Sequence, residues 1–134
     1  MPSYKAPLRD QQFVLHEVLG AVDVLRRMPR YAELDADTVN QVIEEAGKFC
    51  EDQLLPINRS GDEEGCIYDA ASRKVTTPRG FKEAYDAFRD AGWQGLAAET
   101  EYGGQGLPHL LQIAFYEMQY STNQAWAMYP GLTI

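Results

Sequence analysis

The sequence is poor in cysteine, histidine and positive charge, and each shortage excludes a class of protein. The two cysteines, Cys50 and Cys66, form no Cys-x-x-Cys pair, so neither a disulfide framework nor a zinc site is expected. The 12 Lys and Arg residues against 20 Asp and Glu give a net charge of −8, which argues against nucleic-acid binding. The acidic pairs have neither EF-hand spacing nor a Glu-x-x-His partner, so the sequence predicts no metal site.

Long apolar runs are also missing. No stretch approaches the length needed to cross a bilayer, and the first residues, MPSYKAPLRDQQF, lack the apolar core of a secretion signal. We therefore expect a cytoplasmic protein with reduced thiols and no membrane insertion. With 45% hydrophobic residues, a chain of 134 is long enough to form one hydrophobic core.

Hydrophobic periodicity predicts an all-α fold of four or five helices. Apolar residues at helical spacing indicate a first helix over residues 10–28, which Pro29 ends because proline lacks an amide donor. A second, amphipathic helix is capped by Asp35 or Asp37 and ends before Pro56. Its apolar face includes Cys50, which we expect to be a core thiol.

The second half of the chain predicts two or three more helices after an irregular connection. Residues 57–79 lack helical periodicity and contain at most a small hairpin. Thr77-Pro78 supplies a cap and a first-turn proline for a third helix, which ends near Gly92. Pro108 opens a fourth helix, and residues 121–123 (Ser-Thr-Asn) interrupt its pattern and cap a fifth.

The last segment, QAWAMYPGLTI, is apolar almost throughout. Trp126, Met128, Tyr129, Leu132 and Ile134 would form a surface that we do not expect this chain to cover alone. A patch of that kind marks an interface or a missing portion of a fold. We therefore expect the sequence to be cut before the remainder of a larger fold.

Three glycines, Gly103, Gly104 and Gly106, precede the fourth helix and invite comparison with a phosphate-binding loop. The dinucleotide fingerprint fails because His109 stands in the place of its third glycine, and no Lys-Ser or Lys-Thr follows. The glycines are instead expected to allow positive φ angles in a tight loop. No Gly-x-Ser-x-Gly elbow or nucleophile–base pair is present, so no catalytic residue is predicted.

In combination, these segments resemble the N-terminal helical domain of the acyl-CoA dehydrogenase family. The resemblance is carried by Gly95-Leu96, by the run EYGGQGL and by the helix with Glu117-Met118. GFKEAYDAFRDAGW and the helix ending in Leu55-Pro56 match the first two helices of that domain. The leading segment, PINRSGDEEGC and AMYPGLT resemble the 3-methylmercaptopropionyl-CoA dehydrogenase-like subgroup. The resemblance implies an extension helix at 1–34 and an α-domain at 35–134 that is incomplete at its C-terminal end.

The resemblance also implies an activity. Members of the family carry out FAD-dependent α,β-dehydrogenation of an acyl-CoA thioester: a carboxylate removes the Cα proton while FAD takes a hydride from Cβ. The base and most flavin contacts belong to later domains and a neighbouring subunit, so this fragment is expected to be inactive and not to bind FAD alone. Expected partners are acyl-CoA, electron-transfer flavoprotein or a similar acceptor, and further copies of the enzyme.

By the same resemblance, this domain contributes one wall of the acyl pocket. The residues expected near the acyl chain are Trp126, Pro130, Gly131 and Ile134. The loop expected beside the pocket contains Tyr102, Gly103, Gly104 and Gly106. A bulky Trp126 predicts a short or unusual acyl group. The alternative hypothesis is a free-standing helical interaction module without enzymatic activity, which binds a partner through its apolar last segment.

Overall fold

The structure is a computed structural model that describes residues 3–132. Its α-helices are α1 (Leu8–Phe13), α2 (Ala21–Leu25), α3 (Ala36–Phe49), α4 (Leu55–Glu64), α5 (Phe81–Asp90) and α6 (His109–Gly131). Short π-helical segments lie at Val14–Val18 and Cys50–Leu54, and 3₁₀ turns at Pro29–Tyr31, Trp93–Gly95 and Thr100–Tyr102. Within the described range the only strands, β1 (Ile67–Asp69) and β2 (Lys74–Thr76), pair as an antiparallel hairpin. The all-α class and the small hairpin are confirmed.

The predicted single helix over residues 10–28 is wrong, because the segment is bent into two short helices. Gly20 adopts a left-handed conformation (φ 54°), which only a residue without Cβ reaches at no cost, and it separates the π-helical segment from α2. The residues just before α1 are held against the π-helical segment Cys50–Leu54 by Glu51, whose carboxylate accepts hydrogen bonds from the Ala6 amide (2.8 Å) and the Lys5 ammonium (2.9 Å).

Helix α3 begins as predicted: the Asp35 carboxylate accepts a hydrogen bond from the Thr38 amide at 2.7 Å. The prediction that Pro56 lies beyond the end of this helix is wrong. The chain passes through the π-helical segment directly into α4, where Pro56 occupies the first turn and its missing amide donor costs nothing. Residues 57–64, predicted to be irregular, are therefore helical.

The apolar pattern of the sequence does not indicate α4, because the residue of α4 that faces α5 is Gly61 rather than a large apolar residue. A Cβ atom on Gly61 would lie 2.6 Å from Cζ of Phe81, so glycine allows α4 to pack closely on the start of α5. Helix α5 begins after Gly80 (φ 85°) without a side-chain cap, so the cap predicted at Thr77-Pro78 is wrong. Its predicted end near Gly92 is confirmed.

The core lies between α3, α4, α5 and α6 and is rich in aromatic rings. Phe49, Phe88, Phe115 and Trp126 pack against one another with ring centroids 5.5–6.1 Å apart. Trp126 is only 1% exposed, so the expectation that it contributes to an uncovered surface is wrong. Met128, Tyr129 and Leu132 are exposed as expected. None of the described helices combines the length and the apolar character needed to cross a membrane.

Candidate functional site

Helix α6 is kinked at Asn123, where the sequence predicted a break and a new cap. Asn123 has non-helical backbone angles (φ −153°, ψ 84°) and its side chain is buried. Its Oδ1 accepts a hydrogen bond from the Trp126 amide at 3.0 Å, as an N-cap residue does. Its Nδ2 donates to the Leu54 carbonyl at 3.2 Å. One amide side chain thus fixes the last two turns of α6 relative to the end of the π-helical segment.

The kink places the Trp126 side chain against the start of α5. Its indole Nε1 donates a hydrogen bond to the Phe81 carbonyl at 3.1 Å, and its ring lies 5.5 Å from that of Phe88 in an edge-to-face arrangement. A buried indole that both packs and donates is held in a single orientation. The Trp126 ring therefore has a fixed position in the structure.

An apolar groove of about 390 Å³ lies beside this ring, between α5 and the kinked end of α6. Its lining residues are Thr77, Phe81, Lys82, Tyr85, Trp126 and Tyr129. The volume and the aromatic lining are typical of a small-molecule site. The Lys82 ammonium is paired with Asp86, and the Tyr129 hydroxyl lies 3.4 Å from Sγ of Cys66. The hydrogen bond with Cys66 and burial raise the pKa of Tyr129, so it stays a neutral polar group at physiological pH.

The glycine loop is a closed turn whose amides are already used. Gly103 and Gly106 have positive φ angles (83° and 67°), which confirms the role predicted for them. A Cβ on Gly104 would lie 2.1 Å from the Ala98 carbonyl oxygen, so that position accepts only glycine. The amides of Gly104, Gln105 and Gly106 all donate to carbonyls of residues 95–99. None of these three amides is therefore oriented toward an external phosphate.

The predicted pocket residues are only partly brought together. Trp126 lines the groove, Pro130 is buried, and a Cβ on Gly131 would lie 2.8 Å from the Tyr120 hydroxyl. Ile134 lies outside the described residues. The glycine loop contributes no residue to the groove: Gly106 lies instead in a separate depression with residues 29–34. Tyr102 is exposed. The acyl-pocket assignment of both sets stays a prediction.

Sequence reasoning missed Phe81, Tyr85 and Tyr129 as groove residues. The first two were recognised only as the apolar face of a helix, and the third only as part of an aromatic cluster. Among residues 3–132, no three His, Cys, Asp or Glu side chains are grouped so that they could hold a metal ion. Burial raises the pKa of the Cys50 thiol to about 12, so it is an inert core group, as predicted.

Comparison with known proteins decides the family. Residues 36–133 match the family model for the acyl-CoA dehydrogenase N-terminal domain. The chain belongs to the acyl-CoA dehydrogenase family. The match begins at Ala36, the first residue of α3, and includes the kink, the groove and the glycine loop.

Three curated acyl-CoA dehydrogenase relatives align with almost the whole chain, including the segment that precedes α3. The 3-methylmercaptopropionyl-CoA dehydrogenase of Ruegeria pomeroyi is 35% identical over 131 residues. The broad-specificity linear acyl-CoA dehydrogenase FadE5 of Mycobacterium tuberculosis is 30% identical over 131 residues, and the butyryl-CoA dehydrogenase of Syntrophomonas wolfei 26% over 132. Each alignment covers 98% of this chain but only 21–22% of the relative. The chain spans about a fifth of the length of these relatives.

Proposed function

We propose that this chain is the N-terminal α-domain of an FAD-dependent acyl-CoA dehydrogenase, and that the whole enzyme performs α,β-dehydrogenation of an acyl-CoA thioester. The observation that carries the proposal is the family match over residues 36–133. It is supported by three relatives that are each named as acyl-CoA dehydrogenases. The identity of 35% to the Ruegeria pomeroyi protein favours the 3-methylmercaptopropionyl-CoA dehydrogenase-like subgroup.

The glycine loop of this domain does not fit a flavin pyrophosphate. A flavin pyrophosphate needs free backbone amides or basic side chains, and the amides at positions 104–106 of the glycine loop already donate within the loop. We assign the flavin and the catalytic base to the remainder of the enzyme, together with the contacts to an electron acceptor and to other subunits. The role of this domain is to shape the acyl pocket and to exclude water from it.

The groove between α5 and α6 is the part of this domain that we assign to the acyl chain. Four of its six lining residues are aromatic, and an acyl chain gains free energy when it leaves water for an apolar surface. Trp126 closes one side of the groove and is held by its hydrogen bond to the Phe81 carbonyl. An acyl chain therefore meets a fixed wall rather than a flexible one, which limits the length that fits.

Substitution of Trp126 in the full enzyme tests this assignment. Trp126→Ala would leave a large cavity in the core, so Trp126→Phe is the better variant. The matched control is Trp93→Phe, since Trp93 packs on Phe115 in the same aromatic cluster but does not line the groove. We expect Trp126→Phe to move the ratio of kcat/KM for longer over shorter acyl-CoAs by about tenfold, because a methylene in an apolar pocket discriminates by that order. Equal ratios in the two variants would contradict the assignment.

The activity itself is tested with the full gene product and a series of acyl-CoA thioesters, with an artificial electron acceptor as the readout. The proposal predicts dye reduction that depends on the acyl-CoA, and none with the 134-residue chain alone. The exposed Met128, Tyr129 and Leu132 favour the second candidate, a helical interaction module. That candidate predicts no dye reduction by any product of the gene, and binding of a partner through these residues.

A further inference from the structure

The groove between α5 and α6 has an unusual lining for a surface that only has to accept an alkyl chain. Within residues 3–132, no Ala, Val, Leu, Ile or Met side chain lines it, although 45% of the chain is hydrophobic and only 11% is aromatic. The hydrophobic effect is non-directional and depends on apolar area, so aliphatic side chains would serve an alkyl chain equally well. The lining therefore favours an occupant that interacts with rings specifically.

The rings of the groove are held in place by contacts within the protein. Tyr129 is 47% exposed, yet its ring packs edge to face on that of Phe81, with centroids 6.2 Å apart and planes at 87°. Its hydroxyl also lies 3.4 Å from Sγ of Cys66. Trp126 is held by its hydrogen bond to the Phe81 carbonyl. Rings that are already ordered lose little conformational freedom when they bind a ligand, which favours affinity.

The groove is large enough for an aromatic ring and offers little to an acidic group. A dry cavity of roughly 150 Å³ holds benzene, and this groove measures about 390 Å³. Lys82 is the one charged side chain among the described lining residues, and its ammonium is paired with Asp86. The net charge of −8 also disfavours an acyl chain that ends in a carboxylate. An uncharged aromatic group satisfies both conditions.

We infer that the groove selects acyl-CoA substrates whose acyl chain ends in an aromatic ring. The inference rests on the proposed function, since it names the substrate class for the groove assigned to the acyl chain. A substrate ring packed against Tyr85, Trp126 and Tyr129 interacts with their quadrupoles in addition to burying its area, and a saturated ring does not. The substrate ring lies beyond the reacting bond, so the proton still leaves Cα and the hydride still leaves Cβ for the flavin.

The test compares 4-phenylbutanoyl-CoA with 4-cyclohexylbutanoyl-CoA as substrates of the full gene product. The two acyl groups have the same carbon skeleton, and neither ring is conjugated with the double bond that forms between Cα and Cβ. The cyclohexyl group is the more apolar of the two, so hydrophobicity alone predicts no preference for phenyl. We expect kcat/KM to be about two- to tenfold higher for the phenyl substrate, the size of aromatic pair interactions. A ratio near or below one would overturn the inference.

Substitution of a lining tyrosine tests the origin of this preference. Tyr85→Leu removes one ring and keeps an apolar side chain, so the phenyl-to-cyclohexyl ratio should fall by about twofold or more. The control is Tyr68→Leu, an exposed position on β1 outside the groove, which should leave the ratio unchanged. Tyr129→Leu, at a half-exposed position, provides a second variant with the same expected direction. Ratios in both groove variants equal to that of Tyr68→Leu would refute the role of the rings.

Octanoyl-CoA, as a third substrate, separates this inference from the proposed function. Turnover of octanoyl-CoA together with no preference for the phenyl substrate would overturn the aromatic selectivity and leave the proposed function intact. A product of the gene that turns over none of the three acyl-CoAs would contradict the proposed function itself.

Discussion

Replacement of Asn123 by Ala is the substitution that most directly tests how the α6 kink is held. The side chain forms two hydrogen bonds in a buried position, one to the Trp126 amide and one to the Leu54 carbonyl. Ala removes both and leaves the non-helical backbone at residue 123 without its local support. We expect the kink to become unstable, because no other side chain in residues 3–132 hydrogen-bonds to the Trp126 amide or the Leu54 carbonyl.

The magnitude follows from the two contacts. Loss of an N-cap side chain costs about 1 kcal/mol. Removal of one partner of a buried hydrogen bond costs about 1–3 kcal/mol. The sum is about 2–4 kcal/mol of unfolding free energy, which corresponds to a urea midpoint lowered by about 1–2 M. Asn123→Ser separates the two contributions, since a serine hydroxyl can accept a hydrogen bond from the Trp126 amide but is too short to reach the Leu54 carbonyl.

The assay is urea unfolding followed by tryptophan fluorescence, with Asn58→Ala of α4 as the control. Within residues 3–132 the Asn58 side chain forms no hydrogen bond, so its loss should cost little. We expect the order of stability to be Asn58→Ala, then Asn123→Ser, then Asn123→Ala. A loss of less than about 0.5 kcal/mol for Asn123→Ala, the lower bound for a helix cap, would refute the view that this side chain fixes the kink.

Three further predictions concern the loop, the thiols and the N-terminal segment. Gly104→Ala should destabilise the chain more than Gly103→Ala in thermal unfolding. The added Cβ meets the Ala98 carbonyl at position 104, and only the φ penalty of about 1–2 kcal/mol applies at position 103; equal losses would contradict this. A thiol reagent should modify Cys66 in the native chain and Cys50 only after unfolding, and rapid native modification of both would disprove the burial of Cys50. Hydrogen bonds from the Ala6 amide, the larger cause, and from the Lys5 ammonium lower the pKa of Glu51 from its usual 4.5. The ionised Glu51 therefore stabilises the fold above that pH, and this stabilisation is lost as the pH falls through the lowered pKa. Glu51→Gln should flatten the acid limb of a stability–pH curve, and an unchanged limb would exclude this role.

Features determined by local chemistry could be predicted from the sequence. The sequence narrowed the cap of α3 to Asp35 or Asp37. It also predicted the glycine loop as a turn that requires positive φ angles and residues 121–123 as a break in the last helix. Each depends on neighbours a few positions away, so single-sequence patterns contain the necessary information. The hairpin and the end of α5 near Gly92 belong to the same group.

Features that depend on tertiary packing could not be predicted. Pro56 is accommodated because the π-helical segment before it changes the hydrogen-bond register, which no local pattern shows. Trp126 is buried because α5 folds back onto it, and its hydrogen bond joins residues 45 positions apart. The candidate groove has the same origin, since its walls come from α5 and α6. The residues of each wall were visible in the sequence, but their pairing was not.

The central claim is tested most directly by the molar mass and visible absorption spectrum of the native gene product, recorded before and after addition of acyl-CoA. The account predicts a chain several times longer than this one, with a flavin spectrum that bleaches when a suitable acyl-CoA is added. A colourless protein of about 15.1 kDa, unaffected by any acyl-CoA, would contradict it.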